Sequence, residues 1–182
     1  MAIKATIFKC ELTISNLERH YYQTHNLTIA RHPSETDERM MLRILMFTIY
    51  ASEQMEMTKG ISTDNEPDLW QKSLSGEIEH WIELGQPDEK RLRQASGRAQ
   101  QVTLLTYGGN APEVWWKQNQ NKLSAIRNLS VFSISDEQSK ALAEVAERSM
   151  RLQATLDGEH IWLTAGEQSL ELSLETFMEA QP

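Results

Sequence analysis

Apolar residues repeat with two different periods along this chain, and the order of those periods constrains the fold. Near the N-terminus Ile3, Ala5 and Ile7 alternate with their neighbours, and near the C-terminus Leu170, Leu172 and Leu174 do the same. A period of two indicates a strand with two distinct faces. Between these ends, strand-like runs are interleaved with runs of helical spacing, so the sequence predicts a mixed α/β fold with a mixed sheet.

The N-terminal third predicts a hairpin followed by a helix. Two strands are expected in the first 30 residues, with a turn at Ser15-Asn16 and a second strand over about 20–29. Ser34 is expected to cap a helix that runs to about Glu56. A methionine-rich stripe lies along that helix at helical spacing, and such stripes are far more often core than binding surface.

The rest of the chain divides into short elements that end in a meander of strands. Strands are predicted over 68–72, 77–84, 101–107 and 129–134, and helices after Pro87, Pro112 and Ser135. Asp157-Gly158 and Gly166 mark the turns of the final meander. We expect one domain over residues 1–182, with an N-terminal β-hairpin and a C-terminal β-meander.

Composition excludes several classes of protein. Lys and Arg total 18 against 26 Asp and Glu, so the formal charge of −8 excludes a polybasic nucleic-acid binder, although not a local basic rim. The single cysteine, Cys10, excludes an internal disulfide and a cysteine-based zinc site. Arg43 interrupts the longest apolar run, Met40 to Met46, so no membrane span is expected. The sequence also lacks a nucleophile elbow, a phosphate-binding loop and a histidine zinc motif, and we expect a cytoplasmic protein without a membrane partner.

Two carboxylates near the ends of consecutive predicted strands carry the functional hypothesis. Asp68 follows Pro67 at the start of one strand, and Glu83 lies near the end of the next. A short antiparallel connection brings such ends together, where two carboxylates, water and phosphate oxygens can hold Mg²⁺. The alternative is a pair of acids that solvate a sheet edge, and the spacing alone does not choose between the two.

These residues also resemble known families. Pro67-Asp68 and Glu83-x-Gly85 resemble a variant of the Pro-Asp…(Asp/Glu)-x-Lys signature of the restriction-endonuclease-like nucleases. Over essentially its whole length the chain resembles the YaeQ family of bacterial proteins. The segments that carry this resemblance are RHPSET (31–36), EPDLW (66–70), WIELGQPDE (81–89), Arg91 and GRA (97–99).

The resemblance implies a restriction-endonuclease-like core, a mixed sheet flanked by helices with acids at one edge. It implies that Asp68 and Glu83 hold a metal ion, Mg²⁺ or Mn²⁺, and that Glu38 or Glu35 from the first core helix joins them. The chain departs from the signature at Gly85, where the superfamily usually has a lysine that orients water and offsets phosphate charge.

Three residues could replace the missing lysine. Gln86 could orient water, Lys72 shares a strand face with Asp68, and Lys90 could reach back from the following helix. The alternative is that nothing replaces it and the site is inactive. Arg91 and Arg98 could contact a phosphate backbone, or could belong to a solvated helix face.

The sequence therefore supports two alternative functions and does not choose between them. The first is metal-dependent hydrolysis of a nucleic-acid phosphodiester by a nuclease-fold protein. The second is an inactive protein of the same fold that regulates by binding nucleic acid or another protein.

Overall fold

Two β-sheets and four helices make up the computed structural model, which describes residues 4–58 and 65–182. The helices are α1 (Asp37–Tyr50), α2 (Glu89–Arg98), α3 (Ala111–Leu123) and α4 (Asp136–Glu144). The strands are β1 (Thr6–Asn16), β2 (Tyr21–Arg31), β3 (Met55–Met57), β4 (Leu69–Lys72), β5 (Ile78–Leu84), β6 (Ala99–Thr106), β7 (Leu129–Ser133), β8 (Ser149–Asp157), β9 (His160–Ala165), β10 (Gln168–Leu172) and β11 (Glu175–Met178). The mixed α/β class predicted from the sequence is confirmed.

The two ends of the chain form one five-stranded sheet, in the order β10-β9-β8-β1-β2. The predicted hairpin is present as antiparallel β1 and β2, and the predicted meander as antiparallel β8, β9 and β10. β1 pairs with β8 in parallel and joins hairpin to meander. The turn falls at residues 17–20 and not at Ser15-Asn16, because Asn16 ends β1 and its Oδ1 accepts a hydrogen bond from the Arg19 amide at 3.1 Å.

The middle of the chain forms a second, six-stranded sheet in the order β11-β7-β6-β5-β4-β3. Parallel pairing joins β5, β6 and β7, and antiparallel pairing adds β4, β3 and β11. The prediction of a single mixed sheet was therefore wrong, since each of the two sheets is mixed. The two edge strands that the sequence analysis missed, β3 and β11, have only three and four residues and show no clear alternation.

Helix α1 lies in the larger hydrophobic core, which includes residues of both sheets. Met40, Met41 and Met46 are fully buried there, together with Leu12 of β1 and Ile82 of β5. The methionine stripe is therefore core. A smaller core lies on the other face of the six-stranded sheet, where residues of α2 and α3 join the tryptophans of β4 and β5 in one cluster.

The ends of α1 differ from the prediction for local reasons. Its N-cap is Thr36, whose side chain accepts the Arg39 amide, whereas Ser34 is bonded to the ring of His32. The helix ends at Tyr50, well before Glu56, because Ala51 is extended and Arg19 donates to its carbonyl oxygen at 2.7 Å. No helix in the described part of the chain is long and apolar enough to cross a bilayer.

Candidate functional site

Asp68 is held beside Glu83 by contacts with β5 on both sides of it. The Asp68 amide donates to the carbonyl oxygen of Ile82 at 3.0 Å, and its Oδ2 accepts the Leu84 amide at 2.8 Å. Pro67 donates no backbone hydrogen bond, which suits the position where β4 begins. The carboxylate of Asp68 is buried, with only 3% of the residue exposed.

Glu83 lies near the end of β5 and is equally buried. Its Oε1 accepts the Trp81 indole N–H at 3.1 Å, and Arg91 Nε lies 2.9 and 2.8 Å from its two carboxylate oxygens. Burial raises the pKa of Glu83, Arg91 and Trp81 oppose that shift, and the negative charge of Asp68 adds to it. The two carboxylates therefore interact electrostatically, as expected if they share one region.

Each carboxylate is paired with an arginine from a different helix. Arg39 of α1 places Nη2 2.7 Å from Asp68 Oδ1, while Arg91 of α2 contacts Glu83. Arg39 also contacts Glu35 Oε2 through Nη1, at 3.0 Å. In the described residues, the cations that contact the two acids are therefore guanidinium groups, and these two groups belong to different helices.

A buried ion-pair chain extends from Asp68 into the core. Arg43 donates to Glu35 through Nε at 3.0 Å and through Nη2 at 2.5 Å, and its Nη2 also donates to the Ala30 carbonyl oxygen at 3.1 Å. Both Arg43 and Glu35 side chains are only 1% exposed. The order Arg43–Glu35–Arg39–Asp68 alternates in charge, so each buried charge has an opposite neighbour.

Sequence reasoning missed Arg39 and Arg43, although the sequence contains a signal for both. Arg43 interrupts an apolar run in the middle of α1, where an unpaired charge is costly, so a buried acid partner is needed. Glu35 lies four residues before Arg39, the spacing of an ion pair on one helix face. The sequence does not show that Arg39 also forms an ion pair with Asp68.

The predicted replacements for the motif lysine lie in three different environments. Gln86 donates its side-chain amide to the Tyr107 carbonyl oxygen at 2.6 Å. Lys72 Nζ lies 3.8 Å from the centre of the Trp70 ring, and Lys90 is exposed on the first turn of α2. In the described parts of the chain, neither lysine forms an ion pair with either acid.

The backbone explains why the motif position itself holds glycine. Gly85 has φ of +108°, in a region that side chains with a Cβ rarely adopt, and its amide donates to the Leu105 carbonyl oxygen at 2.9 Å. A lysine at this position would strain the strand end.

The predicted third acids are engaged elsewhere. Glu38 accepts the Ser139 hydroxyl at 2.7 Å and lies 3.4 Å from Lys140 Nζ, so it turns toward α4. Glu35 is held by the two arginines of α1. Among residues 4–58 and 65–182, no three His, Cys, Asp or Glu side chains are grouped to hold a metal ion.

An open cleft of about 480 Å³ lies between α2 and Asn65, and Arg91, which contacts Glu83, is part of its lining. We call it the arginine cleft; its lining includes Trp81, Arg91, Arg93, Arg98 and Asn65. The guanidinium carbons of Arg91 and Arg98 lie 5.8 and 5.1 Å from the Trp81 ring centre. The predicted phosphate-contact residues Arg91 and Arg98 therefore line one cleft.

Tyr107 lies near the ion-pair chain, on the strand connection after β6. Burial raises the pKa of Tyr107, the nearby Arg39 lowers it, and the charges of Glu38, Asp68 and Glu35 raise it. The raised pKa keeps the Tyr107 phenol neutral at physiological pH.

Comparison with known proteins places this chain in a family. Residues 1–174 match the family model of the YaeQ protein. The chain is 43% identical to the uncharacterized protein YaeQ of Escherichia coli (strain K12) and 42% identical to that of Salmonella typhi, in each case over 98% of this chain and 99% of the relative.

Two solved structures have the same fold over nearly the whole chain. The crystal structure of YaeQ from Xanthomonas axonopodis pv. citri has a TM-score of 0.93 and 39% identity, and covers 98% of this chain and 99% of its own. The crystal structure of YaeQ from Pseudomonas syringae has a TM-score of 0.92 and 32% identity, and covers 98% of each chain. Sequence, fold and family model agree, and the chain belongs to the YaeQ family.

Proposed function

We propose that this protein is a metal-dependent phosphodiesterase that acts on nucleic acid, with a core of the restriction-endonuclease-like type. The observation that carries the proposal is the position of Asp68, whose backbone and carboxylate bond to the residues on either side of Glu83. The backbone segments that carry these two buried acids are therefore adjacent near the end of a mixed sheet, and the arginine that contacts Glu83 lines an open cleft. The central parallel strands and the helices on both faces of the sheet support the assignment of the core.

The carboxylate oxygens of Asp68 and Glu83 are ligands of the type that Mg²⁺ and Mn²⁺ bind. Both ions take oxygen ligands, and Mg²⁺ in particular is held by one or two protein carboxylates while water and substrate phosphate complete its shell. Asp68 and Glu83 supply two such groups, and a third protein carboxylate is not required. A bound divalent ion supplies a more acidic water and neutralises charge that develops on the phosphate.

The chain's own residues would do the remaining work. Arg91 and Arg98 would bind phosphate oxygens in the arginine cleft, where guanidinium groups donate two parallel hydrogen bonds. Arg39, held against Asp68 by Glu35, provides the positive charge near the acids that the motif lysine provides elsewhere. Gln86 would orient water only after release from the Tyr107 carbonyl oxygen, and Lys72 and Lys90 are not positioned beside the acids.

The test is cleavage of labelled single- and double-stranded DNA and RNA with Mg²⁺ or Mn²⁺. Asp68→Asn and Glu83→Gln remove one charge each without changing side-chain size, and each is expected to lower cleavage by about 100-fold or more. Glu11→Gln is the matched control, because Glu11 pairs with Arg151 on the other sheet. Equal cleavage by all three variants and the parent protein would contradict the proposal, since a contaminating nuclease would then account for the activity.

A second function is supported by a separate observation. Asp68 and Glu83 are each neutralised by an arginine, and the lysine position of the motif is a glycine. A protein of this kind could bind nucleic acid or a protein partner without catalysis. Oligonucleotide binding without cleavage, and without thermal stabilisation by Mg²⁺ or Mn²⁺ that Asp68→Ala removes, would support this function in place of the first.

A further inference from the structure

Arg91 belongs both to the acidic pair and to the arginine cleft. Its Nε contacts both carboxylate oxygens of Glu83, and its Nη2 donates to the Glu66 carbonyl oxygen at 3.0 Å. The Glu83 side chain is only 6% exposed, whereas that of Arg91 is 29% exposed and faces the cleft. The guanidinium group therefore covers the carboxylate on the side from which a ligand in the cleft would approach.

Among the described residues that line it, the arginine cleft has three arginines and no acid. Arg91 forms an ion pair with Glu83, and Arg93 forms one with Glu89 at 2.5 Å. Arg98 donates to the Asn65 carbonyl oxygen at 2.8 Å and has no ion pair in the described residues. In a protein of net charge −8, this is a local site of the sign that phosphate requires.

We propose that a phosphate group in the arginine cleft takes Arg91 from Glu83 and thereby frees the Glu83 carboxylate for a divalent cation. This inference rests on the proposed function and describes how its site is regulated. Arg91 contacts Glu83 through Nε, and a guanidinium group also binds phosphate, through two parallel hydrogen bonds, so the exchange replaces one ion pair with another. No covalent bond is made or broken in the exchange.

Cooperativity follows from this competition. While Arg91 occupies both oxygens of Glu83, a divalent cation meets a positive charge at its binding position and binds weakly. Once phosphate holds Arg91, the cation gains a carboxylate ligand and a phosphate nearby. By thermodynamic reciprocity, the cation must then raise phosphate affinity by the same factor. The site would load metal only when a phosphate substrate is present.

The experiment measures Mn²⁺ binding by electron paramagnetic resonance, which reports free Mn²⁺, on the full chain. Thymidine 3′,5′-bisphosphate is the phosphate probe because it has no diester to cleave, and its own Mn²⁺ binding is measured separately. We expect the bisphosphate to lower the Mn²⁺ dissociation constant of the parent protein by about tenfold or more. We expect Mn²⁺ to lower the bisphosphate dissociation constant by the same factor.

Three arginine variants separate the role of Arg91 from that of Arg98 and from the loss of an arginine elsewhere on the protein. Arg91→Gln is expected to bind Mn²⁺ alone more tightly than the parent protein does, and to lose the effect of bisphosphate on Mn²⁺ affinity. Arg98→Gln is expected to keep the parent's affinity for Mn²⁺ alone but to bind bisphosphate more weakly. Arg151→Gln, which makes the same change at an arginine 81% exposed on the other sheet, is expected to match the parent protein.

The outcomes distinguish this inference from the proposed function. If the parent protein binds Mn²⁺ equally well with and without bisphosphate, and Glu83→Gln abolishes that binding, the exchange is refuted while the metal site stands. If neither the parent protein nor Arg91→Gln binds Mn²⁺ under any condition, both proposals fail. The parent protein alone decides whether the two ligands are coupled, so the test holds even if Arg91→Gln does not fold.

Discussion

Lowering the pH should destabilise this protein through one buried histidine. His80 of β5 is 8% exposed; its Nε2 lies 2.7 Å from Thr103 Oγ1, and its ring meets the Tyr50 ring edge-on at 4.8 Å between centroids. No carboxylate in the described residues forms an ion pair with it. Burial therefore lowers the pKa of His80 from 6.5 to about 4.

The direction and size of the change in stability with pH follow from this shift in the pKa of His80. At pH 7.5 His80 is almost entirely uncharged in the folded and the unfolded chain, so it contributes almost no pH dependence there. As the pH falls below 6.5 the unfolded chain binds a proton that the folded chain still excludes, and stability falls until the pH reaches the folded pKa near 4. The free energy of unfolding should be lower by about 2 kcal/mol at pH 5 than at pH 7.5 from this group alone.

The assay is urea unfolding at both pH values, followed by tryptophan fluorescence, for the parent protein and for His80→Gln. Other groups titrate in the same range, so the quantity compared is the change with pH and not the stability itself. His80→Gln should lose about 2 kcal/mol less than the parent protein on acidification. Equal losses in the two proteins would refute the reasoning, because His80 would then be protonated as easily in the fold as in the unfolded chain.

Two further predictions concern other buried polar groups. Arg43→Met removes the buried guanidinium group that contacts Glu35, and it should lower the free energy of unfolding by about 3 kcal/mol or more. The measurement is urea unfolding, with the exposed arginine variant Arg151→Met as the control. A loss below about 1 kcal/mol would show that the ion pair with Arg39 is enough for Glu35. Burial raises the pKa of Cys10 to about 12, so its thiol should not react with a thiol reagent near pH 8 until urea unfolds the chain, and prompt reaction of the native protein would contradict this.

The local parts of the fold could be predicted because neighbouring residues determine them. The hairpin, the meander and the strand pair that carries Asp68 and Glu83 all join segments close in sequence through recognisable turns. Ser135 caps α4, as the sequence predicted, whereas Asp88 and not a proline in the first turn begins α2 as its N-cap. The closeness of Asp68 and Glu83 follows from this kind of pairing.

The remaining features depend on contacts between distant segments. The division into two sheets requires β1 to pair with β8, and no local pattern encodes that choice. The arginine partner of Asp68 comes from α1, whose position over the sheet is set by the large core. Sequence alone therefore located the acids but did not identify the cations that hold them.

The parallel pairing of β1 with β8 also has a consequence for how the protein is made. Lys9 pairs with Ser149 and Cys10 with Met150, so the first strand waits for a partner that the ribosome adds some 140 residues later. At about 5–20 residues per second, the delay is on the order of ten seconds. During that time the β1 edge that β8 later pairs with stays open, and an open strand edge can pair with another chain.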